Sequence, residues 1–137
     1  MTIRSYVTYP PTASEAILPG YACGIDTGKV DLIDDATQAT TVTVTPLGIS
    51  ATEATADGDT IAVVGFGECM GVAGTGGLAA GQSFVAEAAT GKLLPYAESA
   101  YTDGQTVWIL GRALEAIAAN AKGRVFVQLQ QISVSEP

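Results

Sequence analysis

Gly74-Thr75-Gly76-Gly77-Leu78-Ala79 has the glycine spacing of a dinucleotide fingerprint, in which backbone amides and a following helix N-terminus hold a pyrophosphate. Ala80-Gly81-Gln82 comes next and does not open a helix, so the amides would not be aimed. Thr90-Gly91-Lys92-Leu93 resembles the end of a phosphate loop. Ala86 stands where its first Gly belongs, however, and Leu93 replaces the metal-binding hydroxyl. Asp34-Asp35 and Asp57-Gly58-Asp59 pair carboxylates. Acid–base work needs two carboxyls converging on a pocket with separated pKa values, whereas neighbours in a turn point into water. A divalent cation at Asp57 and Asp59 would lack a third ligand placed by the sequence. Ser50, Ser83 and Ser99 have no His partner, because the chain contains no His. That absence also removes His general bases and His metal sites. These residues point to no catalytic centre, no cofactor and no metal, and therefore to a protein that is not an enzyme.

Six Lys+Arg against 14 Asp+Glu give the chain of 137 residues a net charge of −8. Such a surface repels nucleic acid and anionic lipid. The longest apolar run, Ile61 to Gly67, is far short of the ~20 residues a membrane helix needs. The N-terminus lacks the apolar stretch of a signal peptide, so the expectation is a soluble, unexported, acidic protein. Cys23 and Cys69 fit no CxxC spacing and read as two buried free thiols.

The elements that must position these groups are strands. Thr, Val and Ile are abundant, Gly numbers 16 and charged residues only 15%. From Gly20 onward the chain reads as a duplication. Thr27-Gly28-Lys29-Val30 recurs as Thr90-Gly91-Lys92-Leu93, and Leu47-Gly48 as Leu110-Gly111. Ile61-Ala62-Val63 falls on Val125-Phe126-Val127, and Gly20 and Gly81 open the two units, about 20–80 and 81–132. Each unit runs from a first strand (Tyr21-Ala22-Cys23; Ser83-Phe84-Val85) through a Thr-Gly-Lys hairpin turn to a strand entering Leu-Gly. An Ala-rich crossover and a closing strand follow (Ile61 to Val64; Val125 to Leu129). Thr41 to Thr45 alternates strictly with period two. Arg112 to Ala121 suits a short helix taken alone. Its counterpart, Ser50 to Ala56, does not, so both are expected to be strand and loop with at most one helical turn. The fold expected is all-β: a small β-barrel or β-sandwich, β-tulip-like, forming a single domain over 20–137.

Residues 1–19 are set apart. Tyr9-Pro10-Pro11 and Leu18-Pro19-Gly20 enforce extended or turned backbone. Ile3, Tyr6, Val7 and Tyr9 are bulky and follow no period. With Pro10 and Pro11 they read as an N-terminal arm that orders on a partner. Trp108 lies on a strand between Val107 and Ile109 and reads as core or subunit interface. The competing expectation is a β-sandwich carbohydrate-binding module or another surface component (fibre or adhesin), with Trp108 and Tyr96 or Tyr101 stacking on sugar.

The order of several short phrases carries a resemblance. Pro46-Leu47-Gly48-Ile49-Ser50-Ala51 leads through Asp57-Gly58-Asp59 to Ile61-Ala62-Val63-Val64; Leu78-Ala79-Ala80-Gly81-Gln82 and Thr90-Gly91-Lys92-Leu93 follow. The end is Ile109-Leu110-Gly111-Arg112-Ala113-Leu114, then Gly123 and Val125-Phe126-Val127-Gln128-Leu129. Over residues 20 to 132 this ordering resembles the capsid decoration (cement) proteins of tailed bacteriophages. The resemblance implies a homotrimer, made in the host cytoplasm, that sits on the outer capsid surface. There it would stabilise contacts between major capsid protein subunits, its partner.

Overall fold

A computed structural model describes residues 4–26, 28–34, 45–97, 100–101 and 104–134, with the backbone alone at 4–11. Its strands are β1 (Arg4–Thr12), β2 (Ala22–Asp26), β3 (Lys29–Leu32), β4 (Thr45–Ser50) and β5 (Thr60–Val72). They continue as β6 (Ser83–Ala86), β7 (Leu93–Pro95), β8 (Thr106–Ala113) and β9 (Lys122–Ser133). All the strand pairings are antiparallel, in the order β3-β2-β4-β5-β9-β8-β6-β7, with β1 added alongside β5. The all-β expectation holds, and no α-helix occurs among the described residues. Four residues of the alternating stretch 41–45 lie outside the described residues, and β4 is described from Thr45.

The order reads the same from either end. β2 pairs with β3 and β4 as β6 pairs with β7 and β8, and β4 meets β5 as β8 meets β9. The irregular connections repeat as well. Ala13 bridges Val30 in parallel as Ala73 bridges Leu93, and Ile17 bridges Ala54 as Leu78 bridges Ile117. Ser50 to Ala56 and Arg112 to Ala121 therefore share one path, which is strand end and loop.

Leu47-Gly48 and Leu110-Gly111 recur for a physical reason. Both Leu residues are skipped in a ladder: Cys23 faces Gly48 and Gly24 faces Pro46, while Ile109 faces Gln130 and Gly111 faces Val127. Such bulges bend a strand and change which face its side chains occupy. The following Gly then lies against the next strand, where a Cβ on Gly48 would overlap the Val64 carbonyl and one on Gly111 the Phe126 carbonyl.

The bends wrap the sheet around its core. Ala22, Ile49, Val64, Phe84, Leu93, Leu110 and Val125, drawn from both units, form one cluster. Ala22 N–H donates to Gly91 O at 2.7 Å and Ala89 N–H to Asp34 O at 2.7 Å, linking the two ends of the ladder. A second cluster packs Ala13, Ile17, Cys23, Val30, Ala54, Ile61 and Val63. A third holds Val85, Val107, Ile109 and Val134. Cys23 and Cys69 are buried and joined by no disulfide, and burial, with the neighbouring Cys69, pushes the Cys23 thiol far above the usual range.

Residues 4–17 belong to this architecture. β1 lies along β5 with Tyr6 opposite Val64, Val7 opposite Val63 and Thr12 opposite Thr60. Ala13 and Ile17 are fully enclosed in the second cluster. The segment read as an arm thus continues into sheet and core, and the matched bridges begin at Ala13 and Ala73, ahead of Gly20 and Gly81.

Candidate interaction face

The groups with apparent chemistry are engaged in holding turns. Glu87 fills the glycine-rich loop: Thr75 N–H donates to its Oε2 at 3.2 Å, and Thr90 Oγ1 donates to Oε1 at 2.7 Å. The chain's own carboxylate occupies the space an anion would need. Asp59 Oδ2 accepts from Thr55 N–H at 2.8 Å, Thr55 Oγ1 at 2.6 Å and Ala56 N–H at 3.2 Å. Those bonds hold the Asp59 carboxyl below the usual carboxylate range. Asp57 pairs with Lys29 at 2.6 Å. Among the described residues no three potential ligands converge on a metal position. Gly28, at φ +83, sits in the tight turn between Asp26 and Lys29, the hairpin the repeated Thr-Gly-Lys implied.

The aromatic candidates lie apart. Tyr96 and Tyr101 stack on one another, centroids 5.7 Å apart and planes 14° from parallel, beside the third cluster. Each ring therefore covers a face of the other. Burial raises the Tyr101 pKa, with Tyr96 adding to the effect. Trp108 is half-buried on β8 opposite Gln131. Of the arm candidates, Ile3 lies outside the described residues. Tyr6, Val7, Tyr9, Pro10 and Pro11 lie on β1, which pairs with β5 and with no other strand among the described residues. Prolines suit such an edge, since the missing N–H costs no ladder bond there.

A surface that residue types alone do not reveal is the outer face of β5, β9 and β8. Along β5 the outward residues are Phe66, Glu68 and Met70, with Gly67, Cys69 and Gly71 turned inward and buried. Cross-strand pairing sets Phe66 beside Gln128, Glu68 beside Phe126 with Arg112 beyond it, and Met70 beside Arg124. Phe66 is 44% and Met70 49% exposed, values high enough to mark an uncovered apolar surface. Phe66 meets Phe126 edge-on, centroids 5.2 Å apart at 82°, the arrangement aromatic quadrupoles favour. Arg124 spans two acids: its backbone N–H donates to Glu115 Oε2 at 2.8 Å and its Nη1 lies 3.6 Å from Glu68 Oε1. A shallow hollow of about 170 Å³ beside Phe126 is lined by Ser83, Ile109, Arg112, Gln128 and Gln130. At the other end the face runs into a groove of about 250 Å³ lined by Leu18, Tyr21, Val72, Lys92, Asn120 and Lys122. The signal available in sequence was the period-two pattern of 66–70 and 122–128, which an apolar run around Val63 and Val64 obscured.

Neither a family model nor a curated protein sequence matches the chain. Its fold is similar to that of the N base of head fiber gp8.5 in bacteriophage phi29, at a TM-score of 0.55 and 11% identity. The similarity covers 93% of this chain and 95% of that one. It identifies the fold: the all-β architecture derived above is one that a bacteriophage head fiber base also uses.

Proposed function

We propose that this protein is a non-enzymatic structural component of a bacteriophage virion, docked on the outer surface of the capsid. The observation that carries the reading is the shared fold with the phi29 head fiber base over nearly the whole of both chains. The ordered phrases that resemble capsid decoration proteins support it independently, as does the engagement of Asp57, Asp59 and Glu87 in turns. On this reading the protein acts as a cement, tying neighbouring major capsid protein subunits together. As a homotrimer it would gain from multivalency, because the second and third contacts form at high effective concentration. Two surfaces are available for the contact: the β1 edge with Tyr6, Val7, Tyr9, Pro10 and Pro11, and the outer face of β5, β8 and β9. An acidic body stays soluble on the virion exterior and does not adhere to nucleic acid.

Co-sedimentation of the purified full chain with undecorated phage capsids tests this reading. Retention with the shells at micromolar protein, saturating at a fixed ratio to capsid subunits, is the expected result. Absence of retention would overturn it.

A further inference from the structure

Four of the chain's six cationic side chains lie on one strip. Arg112 and Arg124 flank Phe126 and Met70, while Lys122 and Lys92 line the groove that continues from them. The four strongly exposed large apolar side chains among the described residues lie on or beside that strip: Phe66, Met70 and Leu18, with Leu114 next to Arg124. Its acids are few, and Glu68 and Glu115 are both already engaged by Arg124. A protein with 14 acidic residues has thus gathered its cations where it leaves its apolar side chains uncovered.

We infer that this strip binds an acidic, apolar-studded segment of a partner protein. The inference rests on the docking reading above and gives that contact its chemistry. Arg112 and Lys122, which form no ion pair among the described residues, select carboxylates and steer them in, while Phe66, Met70 and Leu18 supply the area whose removal from water retains the partner. A second copy placed face to face fits poorly, because it would set Arg112, Lys92 and Lys122 against like charges. A head-to-tail copy fits poorly as well. Leu114, the remaining large exposed apolar side chain among the described residues, lies beside the strip, its N–H donating to the Arg124 carbonyl at 3.0 Å, so the described surface elsewhere offers a second copy no such side chain.

The test is a titration of the isotope-labelled full chain with a synthetic peptide alternating Glu and Leu, followed by amide chemical shifts. Lys–Leu and Glu–Ser peptides, and a DNA duplex, serve as comparisons. The Glu–Leu peptide alone should shift the resonances of 66–70, 112 and 122–128, and its binding should weaken as salt rises from about 50 to about 500 mM. Phe66→Ser and Arg112→Glu should each weaken it about tenfold at an unchanged thermal midpoint. Lys122→Glu provides a further variant should one of these lower the midpoint. Absence of binding, equal binding of the Lys–Leu peptide or the duplex, or shifts confined to another surface would overturn the inference. So would a concentration-dependent increase in mass that Phe66→Ser abolishes, since a second copy would then cover the strip. Peptide binding without retention on capsids would leave the strip standing and remove the capsid reading.

Discussion

Ile17 and Ala54 exchange both backbone hydrogen bonds, at 2.8 and 2.9 Å, and so tie the segment after β1 to the loop after β4. Leu78 and Ile117 make the same exchange, at 2.8 Å each way, in the second unit. The two staples close equivalent corners of a sheet whose strand order reads the same from either end. The first depends on residues N-terminal to Gly20, so the N-terminal segment is part of the sheet.

A chain beginning at Pro19 is therefore expected to lose cooperative unfolding. It lacks the β1 ladder along β5 and two fully enclosed side chains of the second cluster. Ile17→Ala alone should cost about 2–5 kcal/mol, whereas exposed Leu18→Ala should stay within about 0.5 kcal/mol. Urea denaturation measures both. A truncated chain that unfolds at the full-length midpoint would show that β1 and Ile17 contribute nothing to the fold.

Gly48 and Gly111 mark the two bulges, and substitution at either should be severe. Gly48→Ala drives a Cβ into the Val64 carbonyl at a φ of +150, and Gly111→Ala drives one into the Phe126 carbonyl. Each should cost at least about 3 kcal/mol, the upper part of the overpacking range, because backbone rather than a flexible side chain is in the way. Gly76→Ala meets open space and should be close to neutral. Thermal midpoints of the three variants check the contrast, and a tolerated Gly111→Ala would contradict the close strand approach.

Stability should fall as pH rises through neutrality. Glu15 hydrogen-bonds Asp31, which also accepts from Ser14 Oγ at 2.8 Å, and the shared proton and partial burial raise the Glu15 pKa to about 7. The charges of Asp31 and Asp34 push in the same direction, while the Leu32 N–H opposes them. A raised native pKa means that the folded state holds this proton more tightly than the unfolded chain. The contribution is thus complete below about 4.5 and lost as pH rises through about 7. Midpoints recorded from pH 5 to 8.5 should decline, and Glu15→Gln should flatten that decline. An identical slope in the variant would assign the effect to other groups.

Cys23 and Cys69 should resist thiol reagents in the folded protein and both react after denaturation. Both are buried, and desolvation suppresses the Cys23 thiolate, the reactive form. Mass spectrometry after alkylation with and without denaturant counts the adducts. Rapid labelling of the native protein, or none in denaturant without a reductant, would contradict two enclosed thiols outside any disulfide.

Much of the sheet could be read from residue order, because turns and bulges use residues that little else replaces. Gly28 at positive φ and the two Leu-Gly bulges explain residues that recur along the chain, and alternation located β6 and β8. The matched bridges ahead of Gly20 and Gly81 were hidden, since Ala13 to Ile17 and Ala73 to Leu78 share backbone pairing but almost no side-chain types. β1 was obscured by Pro10 and Pro11, which argue against a central strand and are compatible with an edge. The interaction strip was illegible for another reason. Phe66, Met70, Arg112 and Lys122 come from three strands, and only their register brings them onto one face.

A cryo-EM reconstruction of capsids saturated with the protein tests the central claim most directly. The expected map has density for this β fold on the outer shell surface, with the β5, β8 and β9 face against acidic, apolar-bearing segments of the major capsid protein. Saturated capsids without that density, or with the strip of Phe66, Met70 and Arg112 turned to solvent, would contradict it.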